Sequence, residues 1–421
     1  MSPDTVHYLD HAATAPVREC ALQAWVGATR ALSAVPGNPS ALHAGGRSAR
    51  RLLEDARERI GAALGADRAE VVLTSGATES DALAVAGGAR GARARDPRRT
   101  RVLASALEHD AVGAQSAVLA PAGFEWALLP VSALGVSVVD PAALAEAAPR
   151  LAVASLSMVS SELGTLQPVA ALTEALAGDD GSRPLVHTDA AQAVGVLDVD
   201  FHALGVDLMT VGGHKIGAPA GTGVLLVRRG TPLVTDRPGG GQERGIRSGT
   251  PDVAGACALA AALEEAVAQR EALRRHLTGL RARLLSGLPA GSRATLAPEA
   301  PCSPAIAHLS VDTAHPEAVL LAMDAAGVLV SAGSACHAGV TRPSAAVLAL
   351  GRGERQALGV LRVSMGPTTS ASDVDALLAA LPQAIRAGQR LDARDRANRP
   401  RRPDPRAGAS TAPATVGEAR P

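Results

Sequence analysis

The sequence predicts an α/β protein, with a large domain on a mainly parallel sheet and a smaller α+β domain after it. Two observations carry this. Between about residues 70 and 230, short apolar runs alternate with helical stretches, as in strands joined by crossover helices. Polar and glycine-rich residues follow these runs at Ser75-Gly76, Glu108-His109, Asp189 and 212–215. Open α/β sheets bind ligands outside the carboxyl ends of their strands, so these ends predict one site.

In chain order, Val71-Val72-Leu73 is the first strand, before a helix from about Thr78 to Arg90. Arg101-Val102-Leu103-Ala104 precedes a helix from about Ala111. Residues 151–156 lead to a helix over 168–176, and Pro184-Leu185-Val186-His187 leads to one from Ala190 onwards. Residues 207–211 and 223–227 close the series. A long Ala/Leu/Glu/Arg helix spans about 253–285, and strands at 305–311, 328–330 and 361–364 belong to the smaller domain. The expected division is an N-terminal segment, 1–15, packing with the small domain; a large domain, 16–255; a small domain, 256–390; and a disordered Pro/Arg-rich tail, 391–421, which has no apolar period.

At 421 residues and 47% hydrophobic, the chain can bury sizeable cores, built from Ala, Val and Leu because aromatics are only 1%. The formal net charge is zero, which gives no electrostatic reason to expect nucleic acid or anionic membrane as a partner. The N-terminus lacks the pattern of a signal peptide, and no run of about 20 apolar residues predicts a membrane span. Cys20, Cys257, Cys302 and Cys336 are far apart, without CxxC spacing, so neither a metal site nor a disulfide framework is expected. A cytoplasmic protein with reduced thiols fits these features.

Chemistry enters with one residue. Lys215 is the sole lysine, and the other 40 of the 41 basic residues are arginines. Arginine stays charged, whereas a lysine amine can lose its proton and form a Schiff base with an aldehyde. Drift towards Ala, Gly and Arg explains the missing lysines but not the Gly-Gly-His before this one or the Gly after it. Residues 75–80, Ser-Gly-Ala-Thr-Glu-Ser, lie at a strand-to-helix junction that suits either a phosphate or a plain Ser/Thr N-cap. Asp189 can hold a heterocyclic nitrogen protonated or simply cap a helix. His109, taken alone, reads as a core histidine. Together, a Schiff-base lysine, a pyridinium-type aspartate and a phosphate turn point to pyridoxal phosphate.

With those residues in place, the chain resembles the NifS/IscS-type cysteine desulfurases, fold-type I enzymes of the class V aminotransferase group. The matching stretches are 8–16 (Tyr-Leu-Asp-His-Ala-Ala-Thr-Ala-Pro), Gly37-Asn38-Pro39-Ser40, 74–80, Glu108-His109, 187–195, Gly213-His214-Lys215, 239–250, 331–336 and 361–366. The resemblance covers about residues 6–385. It implies that Lys215 holds pyridoxal phosphate as a Schiff base, Asp189 pairs with the pyridine nitrogen, and Gln192 bonds the phenolic oxygen. His109 would stack on the ring and shuttle protons. Ala77 (main chain), Thr78 and His214 beside Gly213 would hold the phosphate, with Thr250 reaching in from the second subunit of a homodimer. Arg362, assisted by Asn38, would clamp the carboxylate of L-cysteine. Cys336, on the small-residue run 331–340, would accept the sulfur as a persulfide, leaving L-alanine. The long form of that loop is typical of the IscS-like group. A sulfur-acceptor protein, such as an iron–sulfur scaffold or a tRNA thiolase, would then take the sulfur.

Two positions depart from the family pattern. Ser160-Ser161-Glu162-Leu163-Gly164 replaces Asn-Asn-Glu-x-Gly, so Ser161 stands for an asparagine that contacts the cofactor. Gly212 stands where a phosphate-binding serine is common. Each lost hydrogen bond costs on the order of 0.5–1.5 kcal/mol. Two other readings stay open at this point. One is an aminotransferase or lyase with the same Lys215 and Asp189 and no need of Cys336; the other is a non-catalytic sulfur-relay or regulatory partner.

Overall fold

The computed structural model describes residues 6–178, 183–333 and 342–398. Cys336 and most of its loop therefore lie outside the described residues.

The chain begins with β1 (His7–Tyr8), followed by two long helices, Glu19–Ala34 and Ala44–Leu64. A seven-stranded sheet then forms from β2 (Val71–Thr74), β3 (Arg101–Ser105), β4 (Glu125–Leu129), β5 (Leu151–Ser155), β6 (Leu185–Asp189), β7 (Leu208–Gly212) and β8 (Gly223–Val227). Their spatial order is β2-β8-β7-β6-β5-β3-β4. Five strands pair in parallel from β7 to β4, and β8 alone runs antiparallel to both its neighbours. Strands β2, β5, β7 and β8 are buried along their whole length, as expected of near-continuous Val/Leu/Ala runs covered on both faces.

The smaller sheet holds β9 (Ser292–Ala294), β10 (Ile306–Val311) and β12 (Val360–Ser364), all antiparallel. Strand β11 (Val328–Leu329) pairs in parallel with β1, and Leu9 is buried in the small-domain core. The helix Val253–Ser286 serves both cores. Residues from Val253 to Ala266 pack in the large one, and Leu277, Leu280 and Leu284 pack in the small one. The change of core thus falls between Ala266 and Leu277, inside the helix rather than at residue 256.

Two expectations need correction. No helix starts at Ala190. Residues 191–193 form a turn, with Asp189 Oδ1 accepting from the Ala191 N–H at 2.8 Å and Gly195 at φ 84°. The tail is not unstructured from residue 391, because the helix Ala371–Asn398 continues through it. Asp392 is buried and accepts from Ala314 N, and Asp395 pairs with His315 at 2.9 Å. Polar anchors hold this last turn, and apolar periodicity cannot reveal them. The rest of the tail lies outside the described residues. No helix among the described residues is long and apolar enough to cross a membrane.

Candidate active site

The carboxyl ends of β2, β6 and β7 supply one half of the site. Where β2 ends, Gly76 takes φ 150°. It lies against Gly223, where a Cβ would fall 2.5 Å from Gly76 Cα, so β8 tolerates no side chain there. This close approach sets the start of the helix that carries Ala77 and Thr78. Glu79 folds back beneath that start. Its Oε2 accepts from Ser75 N at 2.6 Å, and Arg247 Nε lies 3.1 Å from its Oε1.

Lys215 ends a 3₁₀ turn, Gly213–Lys215, directly after β7. Gly213 is obligatory there, since a Cβ would meet Thr222 Oγ1 at 2.2 Å. The amine donates to Ala12 O at 2.6 Å and Ala13 O at 2.9 Å. Burial first, then the nearby Arg362, lowers its pKa from 10.5 to about 8, against the opposing pull of Asp189 and Asp10. The neutral, nucleophilic amine is therefore available near neutral pH.

Asp189 closes β6, and burial raises its carboxyl pKa while His109 and Lys215 oppose the rise. Behind it lie two more buried acids. Glu108 Oε1 accepts from Ser157 N at 2.9 Å, and burial followed by the Asp189 charge raises its pKa to about 8. Asp81 Oδ1 lies 3.5 Å from His187 Nε2, and the Asp81 pKa is raised well above the usual range by burial, then by Asp189. His187, between Ser155 Oγ (2.9 Å) and Thr210 Oγ1 (3.0 Å), is held neutral by burial, which lowers its pKa to about 3. Of these three acids, Asp189 is the one whose rise is opposed by the nearby charges of His109 and Lys215.

His109 is exposed rather than a core residue. It caps the short helix Asp110–Gly113, its Nδ1 accepting from Ala111 N at 3.1 Å. A neutral ring therefore carries its proton on Nε2. Gln192 Nε2 donates to Ala12 O at 2.9 Å, and His214 Nδ1 lies 3.2 Å from Thr14 Oγ1. The segment 12–14 thus touches Lys215, Gln192 and His214 together.

The other half lies where the N-terminal segment meets the small domain. Arg362 on β12 pairs with Asp10 at 3.1 Å and donates to Ser161 O at 2.9 Å. Ser161 thus meets Arg362 through its carbonyl. Asn38 is exposed, its Oδ1 accepting from Ser40 N. Thr250 is exposed beside Arg247, on a small cavity near Ser75. Sequence reasoning gave no role to Asp10, Asp81, Glu108, His187 or Ser331. Each lies within or beside a motif, but only the folded chain shows what it touches.

The residues fit pyridoxal phosphate. An amine with a lowered pKa, a buried carboxyl at a strand end and an imidazole whose Nε2 has no partner among the described residues form the donor set that this cofactor requires. Gly212 completes a cradle, for a Cβ there would lie 3.2 Å from Ala77 Cβ and 3.6 Å from Lys215 Cγ.

The aminotransferase class-V profile matches residues 7–377, and the chain belongs to that family. Its relatives there are cysteine desulfurases. It is 41% identical over 390 residues to an IscS-like cysteine desulfurase of Mycobacterium tuberculosis, covering 91% of this chain and 97% of the relative. It is 33% identical to the cysteine desulfurase IscS of Methanosarcina thermophila, covering 90% and 91%. The solved structure of a NifS-like protein superposes with a TM-score of 0.80 at 28% identity, covering 91% of this chain and all of that one.

Proposed function

We propose that the chain is a pyridoxal phosphate-dependent L-cysteine desulfurase that delivers sulfur to Cys336. The observation that carries this is the sole lysine, its amine pKa lowered to about 8, in one electrostatic group with Asp189 and Arg362. The relatives' names supply the substrate. When bound, pyridoxal phosphate supplies the electron sink for breaking the substrate's Cβ–S bond.

The chain's own residues do the rest. Lys215 anchors the cofactor through its amine and carries protons to and from the substrate carbon. Asp189 holds a proton at the pyridine nitrogen. His109 Nε2 and the first-turn residues Ala77 and Thr78 orient ring and phosphate. Gln192 Nε2, which donates to Ala12 O in this structure, would bond the phenolic oxygen of the cofactor. Arg362 takes the substrate α-carboxylate. The thiolate of Cys336 forms an S–S bond to the substrate sulfur as the Cβ–S bond breaks. A proton completes the methyl group of L-alanine, and the persulfide passes to an acceptor thiol.

In this reading Thr250 serves the site of a second copy, which makes the working unit a dimer. Alanine formation from L-cysteine, with mass spectrometry of the protein for one added sulfur on Cys336, tests the function. Alanine without that added mass points instead to the aminotransferase or lyase chemistry of the same fold. Activity that persists in a fully monomeric preparation refutes the shared site.

A further inference from the structure

Arg362 is already occupied by a carboxylate of its own chain. Asp10 Oδ1 lies 3.1 Å from its Nη2, and Asp10 Oδ2 accepts from Ser331 Oγ at 2.7 Å. Ser331 and Arg362 exchange backbone hydrogen bonds, Arg362 N to Ser331 O at 2.8 Å and Ser331 N to Arg362 O at 3.3 Å. Three segments far apart in sequence thus close a ring. On its other side, the guanidinium donates through Nη1 to Ser161 O at 2.9 Å. Arg362 Nε is buried and has no partner among the described residues.

Asp10 is fixed independently of the arginine. The Tyr8 hydroxyl donates to Asp10 O at 3.1 Å, and the residues flanking Asp10 pair with Ser364, His11 N to Ser364 O and Ser364 N to Leu9 O. An arginine side chain has several rotatable bonds, and a single acceptor would leave its guanidinium free to swing. Two acceptors on two different Nη atoms define the plane of the group. Three of the five N–H donors are left over, the one on Nε and one on each Nη, and a buried unsatisfied donor such as Nε costs about 1–3 kcal/mol until an acceptor reaches it. A carboxylate oxygen is the acceptor that suits a guanidinium edge best.

We propose that Asp10, steadied by Ser331, is a positioning residue that holds the guanidinium of Arg362 with its remaining N–H donors ready for the α-carboxylate of the substrate, and so sets the affinity for L-cysteine. This rests on the reading of Arg362 as the carboxylate's partner. It differs from simple charge masking, in which Asp10 would compete with the substrate and removing its charge would tighten binding.

Steady-state kinetics of the holoenzyme with L-cysteine separates these possibilities. Asp10→Ala is expected to raise KM by roughly tenfold, with kcat within about fivefold of the parent. Asp10→Asn keeps an oxygen acceptor for Nη2 and an amide that can pair with Ser331 Oγ, and is expected to restore KM to within about threefold. Arg362→Ala raises KM further, and adding Asp10→Ala to it changes nothing more. If Asp10→Ala fails to fold, Asp10→Glu decides the matter, because its longer arm displaces the guanidinium and raises KM at preserved kcat. An unchanged KM in the Asp10 variants, beside a raised one in Arg362→Ala, overturns the positioning role. So does an Asp10→Asn that binds more tightly than the parent. An unchanged KM in Arg362→Ala instead overturns the reading of Arg362 itself.

Discussion

The two halves of the site are built by different means. At the sheet edge, Ala77, Asp189 and Lys215 each stand within three residues of a strand end, and a rigid parallel sheet places them. At the seam, Asp10, Ser161, Ser331 and Arg362 come from four segments, joined by side-chain bonds and one backbone pair between Ser331 and Arg362. The contrast shows that covalent chemistry is placed on the stiffest framework, while substrate recognition is placed where segments from both cores meet. A lysine amine must reach one carbon. A guanidinium must admit and release a ligand.

The sheet half should be the less forgiving. Lys215→Ala should lower alanine formation by on the order of 10³-fold or more and abolish the visible absorbance of bound cofactor. Borohydride reduction of the parent should label Lys215 and no other side chain, and label recovered elsewhere would remove the anchor from this position. Cofactor capture by cofactor-free protein should rise with pH and level off above about pH 8, because only the neutral amine attacks.

Cys336→Ser should separate the two functions. It should bind cofactor as the parent does and change colour with L-cysteine, yet yield almost no alanine and no added sulfur. Near-parental turnover would dismiss Cys336 as the acceptor. Asp189→Asn should cost roughly 10–100-fold in kcat, the worth of a charge-assisted hydrogen bond, with a smaller change in KM. A change confined to KM would move Asp189 into the recognition half.

The sheet half should also carry a cost in stability, which pH exposes. In the folded protein Glu108 keeps its proton up to about pH 8, while an ordinary glutamate releases it near 4.5. Between those values the folded state binds more protons, so Glu108 lowers stability as pH rises, and its contribution is constant above about 8. Glu108→Gln does not titrate and retains an acceptor for Ser157 N. Denaturant titrations should find it more stable than the parent by up to several kcal/mol at pH 8 and little different near pH 5. An equal gain at both pH values would refute the buried-acid account. The smallest effect belongs to the chain end. Removing residues after Asn398 should leave turnover unchanged, whereas cutting at Leu391 removes Asp392 and Asp395 and should lower stability by about 1 kcal/mol.

The sheet half was legible because its signals are local. Apolar runs marked β2, β3, β5, β6, β7 and β8, and the reactive residues followed those of β2, β3, β6 and β7. Strand β4 went unread because Glu125 and the partly exposed Trp126 interrupt its apolar character at the sheet edge. The reversal of β8 was also hidden, since strand direction leaves no mark in a uniformly buried run of Gly-Val-Leu-Leu-Val. At the seam, Arg362 was found only through resemblance, and Asp10 not at all. Residues 352 positions apart leave no periodic trace. The contact between the Ser161 carbonyl and Arg362 leaves no mark in the sequence, because every residue type has a carbonyl. His109 looked like a core residue because sequence cannot distinguish a buried imidazole from a helix cap.

The helix Val253–Ser286 has a mechanical consequence. At about 1.5 Å per residue it is roughly 50 Å long, and it is a single rod sunk at one end into each core. Neither core is closed without its own stretch of that rod, and fraying at one end strips wall from one core while loosening the footing of the other. Heat and denaturant should therefore melt both together, in one transition. A fragment cut at either border of the helix would leave one core open along a full side.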